Sequence, residues 1–150
     1  MQQNNFLNNA FLHHLSIQCA DPKSLSLFYS ETLGMQSKQI HHHEKIKWLC
    51  FGNDRRIIFS PGKKKNLDFA AFSLKDENSL MNFKNILINN KVSISEYETP
   101  FFVKGSFGVK DPDNNLIIFG ISEINKGIAL SSTYSDHIYG PLQHLTFKSK

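Results

Sequence analysis

Cysteine is scarce: only Cys19 and Cys50 occur, each inside an alternating, strand-like segment. That leaves no disulfide framework of the kind that holds small secreted domains together. The two thiols read as reduced core groups of a cytoplasmic protein. Long apolar runs are missing too, and nothing approaches the roughly 20 residues needed to span a bilayer. The first ten residues carry four Asn and two Gln and no signal-peptide core, and residues 1–11 are expected to form a flexible N-terminus. Charge of one sign is also thin. Lys and Arg number 17 against 13 acids, and the dense basic run is only Lys63-Lys64-Lys65, read as a solvated turn. Nucleic-acid binding wants a longer basic stripe with aromatics between the charges. Neither nucleic acid nor membrane is therefore expected as a partner.

What the chain does have is bulk. Thirteen Phe and an apolar fraction of 40% in 150 residues suffice for the core of one domain. The organising stretch runs from His13 to Met35. Leu15, Ile17 and Cys19 alternate with His14, Ser16 and Gln18, the period-two pattern of a half-buried strand. Asp21 can cap a following helix, Pro22 suits its first position, and Gly34 supplies the left-handed residue that ends it. A helix is predicted over Pro22–Leu33, with Leu25, Phe28, Tyr29 and Leu33 as its apolar stripe.

The unit then recurs. A strand over residues 69–75 ends at Asp76, and Leu80, Phe83 and Leu87 repeat the stripe in a helix predicted over Glu77–Asn89. Asp21 to Asp76, Leu25 to Leu80 and Phe28 to Phe83 share one offset of 55 residues. Phe28 and Phe83 are thus expected to be buried between helix and sheet. Three short strands follow the first helix, near residues 35–41, 45–51 and 55–60. Three follow the second, near 92–98, 102–109 and 116–121, with a turn at Asp111-Pro112-Asp113-Asn114-Asn115. The last strands of the two units share Ile57-Ile58-Phe59 and Ile117-Ile118-Phe119. The expected organisation is two βαβββ modules, 12–62 and 67–122, then a connector within 123–150. At its end His144-Leu145-Thr146-Phe147 resembles the opening of the first strand and reads either as the start of a third module or as an ordinary C-terminal tail. His13 and His14 are consecutive, so alternation predicts that they point to opposite faces and cannot chelate together. His41-His42-His43 reads as a solvated turn.

The segment His14–Asp21, the Leu-x-x-Phe-Tyr helix ending in Leu33-Gly34-Met35, and Asp111 through Ile117 resemble the vicinal oxygen chelate superfamily. That superfamily includes glyoxalase I, bleomycin-resistance proteins and extradiol ring-cleaving dioxygenases. The resemblance implies an α+β fold in which two βαβββ modules form a cup-shaped mixed sheet with helices outside. Metal-binding members place their ligands at positions matching His14, Ile58, Phe69 and Ile118, of which only His14 has a ligating side chain. A catalytic divalent ion generally takes three protein ligands, so no cofactor is expected in this chain. His144 matches the first iron ligand of the metal-bearing module pair in two-domain extradiol dioxygenases, and if a further domain follows, Fe(II) is expected there.

The resemblance thus implies a metal-free, noncatalytic N-terminal domain of an extradiol-dioxygenase-like protein, packed against a second module pair. The alternative is a metal-free small-molecule binding protein, alone or with a homodimer partner. It would hold an aromatic ligand against an inward face of His14, Trp48, Ile58, Phe69 and Ile118. Glyoxalase-type chemistry would need acids in the cup, and Ile58 and Ile118 occupy those positions.

Overall fold

The computed structural model describes residues 10–52, 55–63 and 66–123. Its elements are β1 (Phe11–Cys19), α1 (Pro22–Glu31), β2 (Gln36–His42), β3 (Lys45–Gly52) and β4 (Arg55–Pro61), followed by β5 (Asn66–Ser73), α2 (Glu77–Asn89), β6 (Ser95–Glu96), β7 (Phe107–Lys110) and β8 (Leu116–Gly120). All eight strands join one curled mixed sheet in the order β2-β3-β4-β1-β5-β8-β7-β6. β1 pairs with β4, and β5 with β8, in parallel, while β1 and β5 meet antiparallel at the centre. The architecture is α+β, with two βαβββ modules joined along the β1–β5 seam.

Local chemistry sets the helix ends. The Asp21 carboxylate accepts from Ser24 N at 3.0 Å and from Ser24 Oγ at 2.6 Å, with Pro22 in the first turn. Asp76 repeats the cap on Ser79 N at 2.8 Å. Gly34 adopts φ +70°, and its N–H donates to the Ser30 carbonyl to close α1. That helix stops at Glu31, two residues before the predicted Leu33. In the last turn of module two, Asp111 accepts from Asn115 N at 2.8 Å and Asn115 Nδ2 at 2.9 Å, and Asn114 takes φ +69°.

The outer face of the sheet carries the helices. Under α1 lie Cys19, Met35, Cys50 and Phe59, with Leu25, Tyr29, Trp48 and Ile57 against them. Leu80, Phe83 and Leu87 of α2 pack on Leu74, Phe107 and Phe119. Tyr29 meets Phe59 at 5.0 Å between ring centroids, and Phe83 meets Phe119 at 4.8 Å. Phe28 does not take the place expected of it, being 51% exposed. The reason is Ser26, which is fully buried, its carbonyl accepting from Cys50 Sγ at 3.5 Å. With so small a residue against the sheet, α1 turns Leu25, Ser26 and Tyr29 inward and Phe28 outward. Cys19 and Cys50 are both buried and unoxidised, and burial pushes the Cys50 thiol up to about 11.

Module two departs from its sequence reading in its outer strands. The stretch predicted as strand over 92–98 keeps only Ser95–Glu96, and the one predicted over 102–109 begins at Phe107. Between them Pro100 interrupts the ladder. The chain there folds over the concave face, tied to the end of β8 by a Phe102–Ser122 bridge, Val103 N to Ile121 O at 3.0 Å and Glu123 N to Phe101 O at 2.9 Å.

Candidate functional site in the concave face

The concave face is built by alternation from β1, β3, β4, β5 and β8. Leu49, Ile58, Phe69, Ala71 and Ile118 converge there in one cluster with Phe101 and Phe102. Ser16 lies beside Ile58 on one side and Phe69 on the other, so the same row continues across the seam. His14, Ile58, Phe69 and Ile118 thus come together in the cup. Trp48 does not: it belongs to the cluster under α1. Leu49, opposite Ile58, takes the inward position instead. The expected alternation along β3 is one residue out of phase with the sheet, and a single-residue slip exchanges the faces.

The histidines also depart from strict alternation. Leu12 stands opposite Phe72 and His14 opposite Ala71, so His13 is an extra residue in a β-bulge. The bulge brings the two imidazoles together, with His13 Nδ1 and His14 Nδ1 2.8 Å apart, one donating to the other. His13 Nε2 also shares a hydrogen bond with Ser122 Oγ at 3.0 Å. Both rings are neutral at pH 7. Burial, followed by the charge of Arg56, lowers His13 to about 4. Burial, then His13 and Arg56, holds His14 well below the usual imidazole value of 6.5. His14 Nε2 is buried and has no hydrogen-bond partner.

Around these imidazoles stands an aromatic box. Phe69, Phe101 and Phe102 set their rings edge-on to His14 at 5.6, 5.1 and 5.0 Å. Gly120 permits this packing, since a Cβ there would lie 2.3 Å from the Phe102 ring. A second irregularity, between Ser16 and Ile17, displaces Asp68 from the register of β5. Its carboxylate accepts from Ser16 Oγ at 3.0 Å and Gln18 Nε2 at 3.4 Å, and Ser16 Oγ also lies 3.3 Å from Ser60 Oγ.

Open space lies towards the rim. A cavity of about 550 Å³ runs past Asp68, Tyr97, Lys110 and Asn115. Another of about 370 Å³ is bounded by His42, Lys47, Asp68, Phe69, Tyr97 and Glu98, linking the two edges of the sheet. His42 is therefore half-buried rather than solvated like His41 and His43. Burial, with His43 and Lys47 next, lowers His42 to about 4 against the opposing pull of Glu98. Lys47 is lowered by burial, which outweighs the favourable Asp68.

A divalent ion does not fit the donor set around His14. The facial iron site takes two imidazoles and one carboxylate, whereas His14 faces Ile58, Phe69 and Ile118, and its Nδ1 is engaged by His13. Among the described residues no group of three or more His, Cys, Asp or Glu is arranged to hold a metal. His144, the other candidate ligand, lies outside the described residues. Sequence reasoning missed His13, Asp68, Phe101 and Phe102. The one available signal was Pro100, which argues against a regular strand through the two phenylalanines.

This curled, mixed eight-stranded sheet with two helices matches the fold of solved extradiol dioxygenases. Among solved structures, the chain is similar to a catechol 2,3-dioxygenase, with a TM-score of 0.63 and 14% identity, over 74% of this chain and 38% of that one. It is likewise similar to the 2,3-dioxygenase LapB from Pseudomonas sp. KL28, with a TM-score of 0.63 and 15% identity, over 74% and 40%. A variant of homoprotocatechuate 2,3-dioxygenase from B. fuscum matches with a TM-score of 0.61 and 12% identity, over 74% and 32%. The chain thus spans two fifths or less of the length of these three structures, and the likeness is one of fold. No protein-family model and no curated protein matches the chain.

Proposed function

We propose that this chain is a noncatalytic module pair of an extradiol-dioxygenase-like protein, docked against a second pair that carries Fe(II). The observation that carries this reading is the composition of its cup. Where a metal-bearing cup needs imidazole and carboxylate, this one presents Ile58, Phe69 and Ile118 and is filled by Phe101 and Phe102. The fold neighbours are matched over only 38% and 40% of their own length, which leaves room for the remaining pair. In that pair the ion would act as template and Lewis acid for an aromatic diol. The role of this chain would be to present a rigid cup and seam that hold the catalytic pair in place, in the cytoplasm.

The full-length gene tests the reading. Sequence beyond Lys150 should supply a cap and an amphipathic helix, then a further module with a second His and a Glu on its final strand. In that protein His144→Ala should abolish iron retention, measured by elemental analysis, while His14→Ala leaves it nearly unchanged. Iron loss in the His14 variant alone would overturn the assignment.

The second reading, a binding protein for a small aromatic molecule, rests on the two rim cavities that share Asp68 and Tyr97. A convergent carboxylate beside an aromatic wall is a common basis for ligand recognition. A reading frame that ends at Lys150 would favour it, with a second copy as the partner in place of a catalytic pair.

A further inference from the structure

The centre of the cup holds a group that the surrounding chain leaves unsatisfied. His14 is fully buried, its Nδ1 is engaged by His13, and its Nε2 has no partner among rings that offer none. Buried polar atoms are rarely left so, and each such atom calls for an explanation. The rings that enclose it differ in origin. Phe69 belongs to β5, in the body of the sheet, whereas Phe101 and Phe102 arrive on the strap that follows Pro100. That strap is fastened to the chain just past the end of β8 by the Phe102–Ser122 bridge and two main-chain hydrogen bonds. Gly120 is the cradle that admits the Phe102 ring.

We infer that Phe102 is an internal ligand: the strap places a ring where the cup would otherwise receive a one-ring molecule bearing a single hydroxyl. Phe102 fills the volume and the edge-on geometry, but it cannot supply the hydrogen bond that His14 Nε2 lacks. A phenol supplies both. Access is built in, because a rim cavity of about 380 Å³, lined in part by Glu98, Thr99, Pro100 and Lys104, reaches Phe102 itself. The inference concerns this cup alone, so its failure leaves the module-pair reading untouched.

The test is ligand binding to Phe102→Ala, followed by NMR chemical shifts and by the rise in melting temperature with ligand concentration. Phenol and benzene are the probes. Phenol should bind the variant at least tenfold more tightly than the wild type, and more tightly than benzene. Adding His14→Leu should remove the preference for phenol while benzene binding persists. Equal phenol affinity in wild type and variant would overturn the inference, as would a folded variant that binds neither probe. A phenol preference that survives His14→Leu would overturn the role of Nε2. If Phe102→Ala does not fold, Phe102→Leu decides on the same criteria: a phenol-dependent rise in melting temperature absent from the wild type supports the inference, and no rise refutes it.

Discussion

The two modules start from the same instructions and end differently. In the first, β2, β3 and β4 run seven, eight and seven residues; their counterparts β6, β7 and β8 run two, four and five. The ladder that module two gives up becomes the strap carrying Phe101 and Phe102 into the concave face. Both modules keep the same helix anchor, an aromatic ring from the helix on the Phe of an Ile-Ile-Phe strand. The difference teaches that repeat identity is enforced where helix meets sheet and relaxed at the outer edge. There, short strands leave backbone free to be used otherwise.

The anchors give the largest test of that comparison. Phe59→Ala and Phe119→Ala should each cost about 3–5 kcal/mol in urea unfolding, as large-to-small changes in a packed core do. A large loss at Phe59 with less than about 1 kcal/mol at Phe119 would break the equivalence of the modules.

Acid comes next, and it acts on module one, since His13 and His14 both sit in β1 and no histidine faces them from β5. Their folded values lie below the unfolded one, so the unfolded chain binds more protons as pH falls. Their contribution should be complete above pH 6.5 and lost on acidification towards pH 4, amounting to at most about 3 kcal/mol from His13. Urea midpoints at pH 7, 6 and 5 will show it, and a pH-independent midpoint would refute it. Smaller still is the helix contrast. Phe83→Ala should cost roughly 2–3 kcal/mol and the exposed Phe28→Ala less than about 0.5. Equal losses would mean that α1 is not rotated about Ser26. The caps should be alike, with Asp21→Ala and Asp76→Ala lowering the urea midpoint by the same small amount.

Local chemistry was legible in the sequence. Both Asp caps, Gly34 and the Asp111–Asn115 turn are short-range devices whose side chains bond within a few residues of themselves, and the repeat offset revealed the pairing of modules. Facing was harder to read. Extra residues at His13 and Asp68 break the two-residue period, so alternation misplaced one histidine, and a phase slip along β3 exchanged Trp48 with Leu49. The orientation of α1 depends on how closely a serine lets it approach the sheet, which helical spacing does not encode. The strap depends on contacts between residues 101–102 and β1, far apart in the chain, and no local pattern announces them.

The arrangement of strand partners has a consequence for how the chain reaches this state. Leu15 lies beside Ile57, and Ala70 beside Ile117, so each module closes a long loop on its own before its parallel pair forms. Such distant pairings spend chain entropy before contacts reward it, and they form more slowly than local contacts do. The β1–β5 seam forms only when both modules are present, and in the finished fold His13 and His14 lie buried beside it. Closing the seam thus takes uncharged imidazoles, and in mild acid the smaller neutral fraction should slow it in proportion, because proton exchange is fast beside folding.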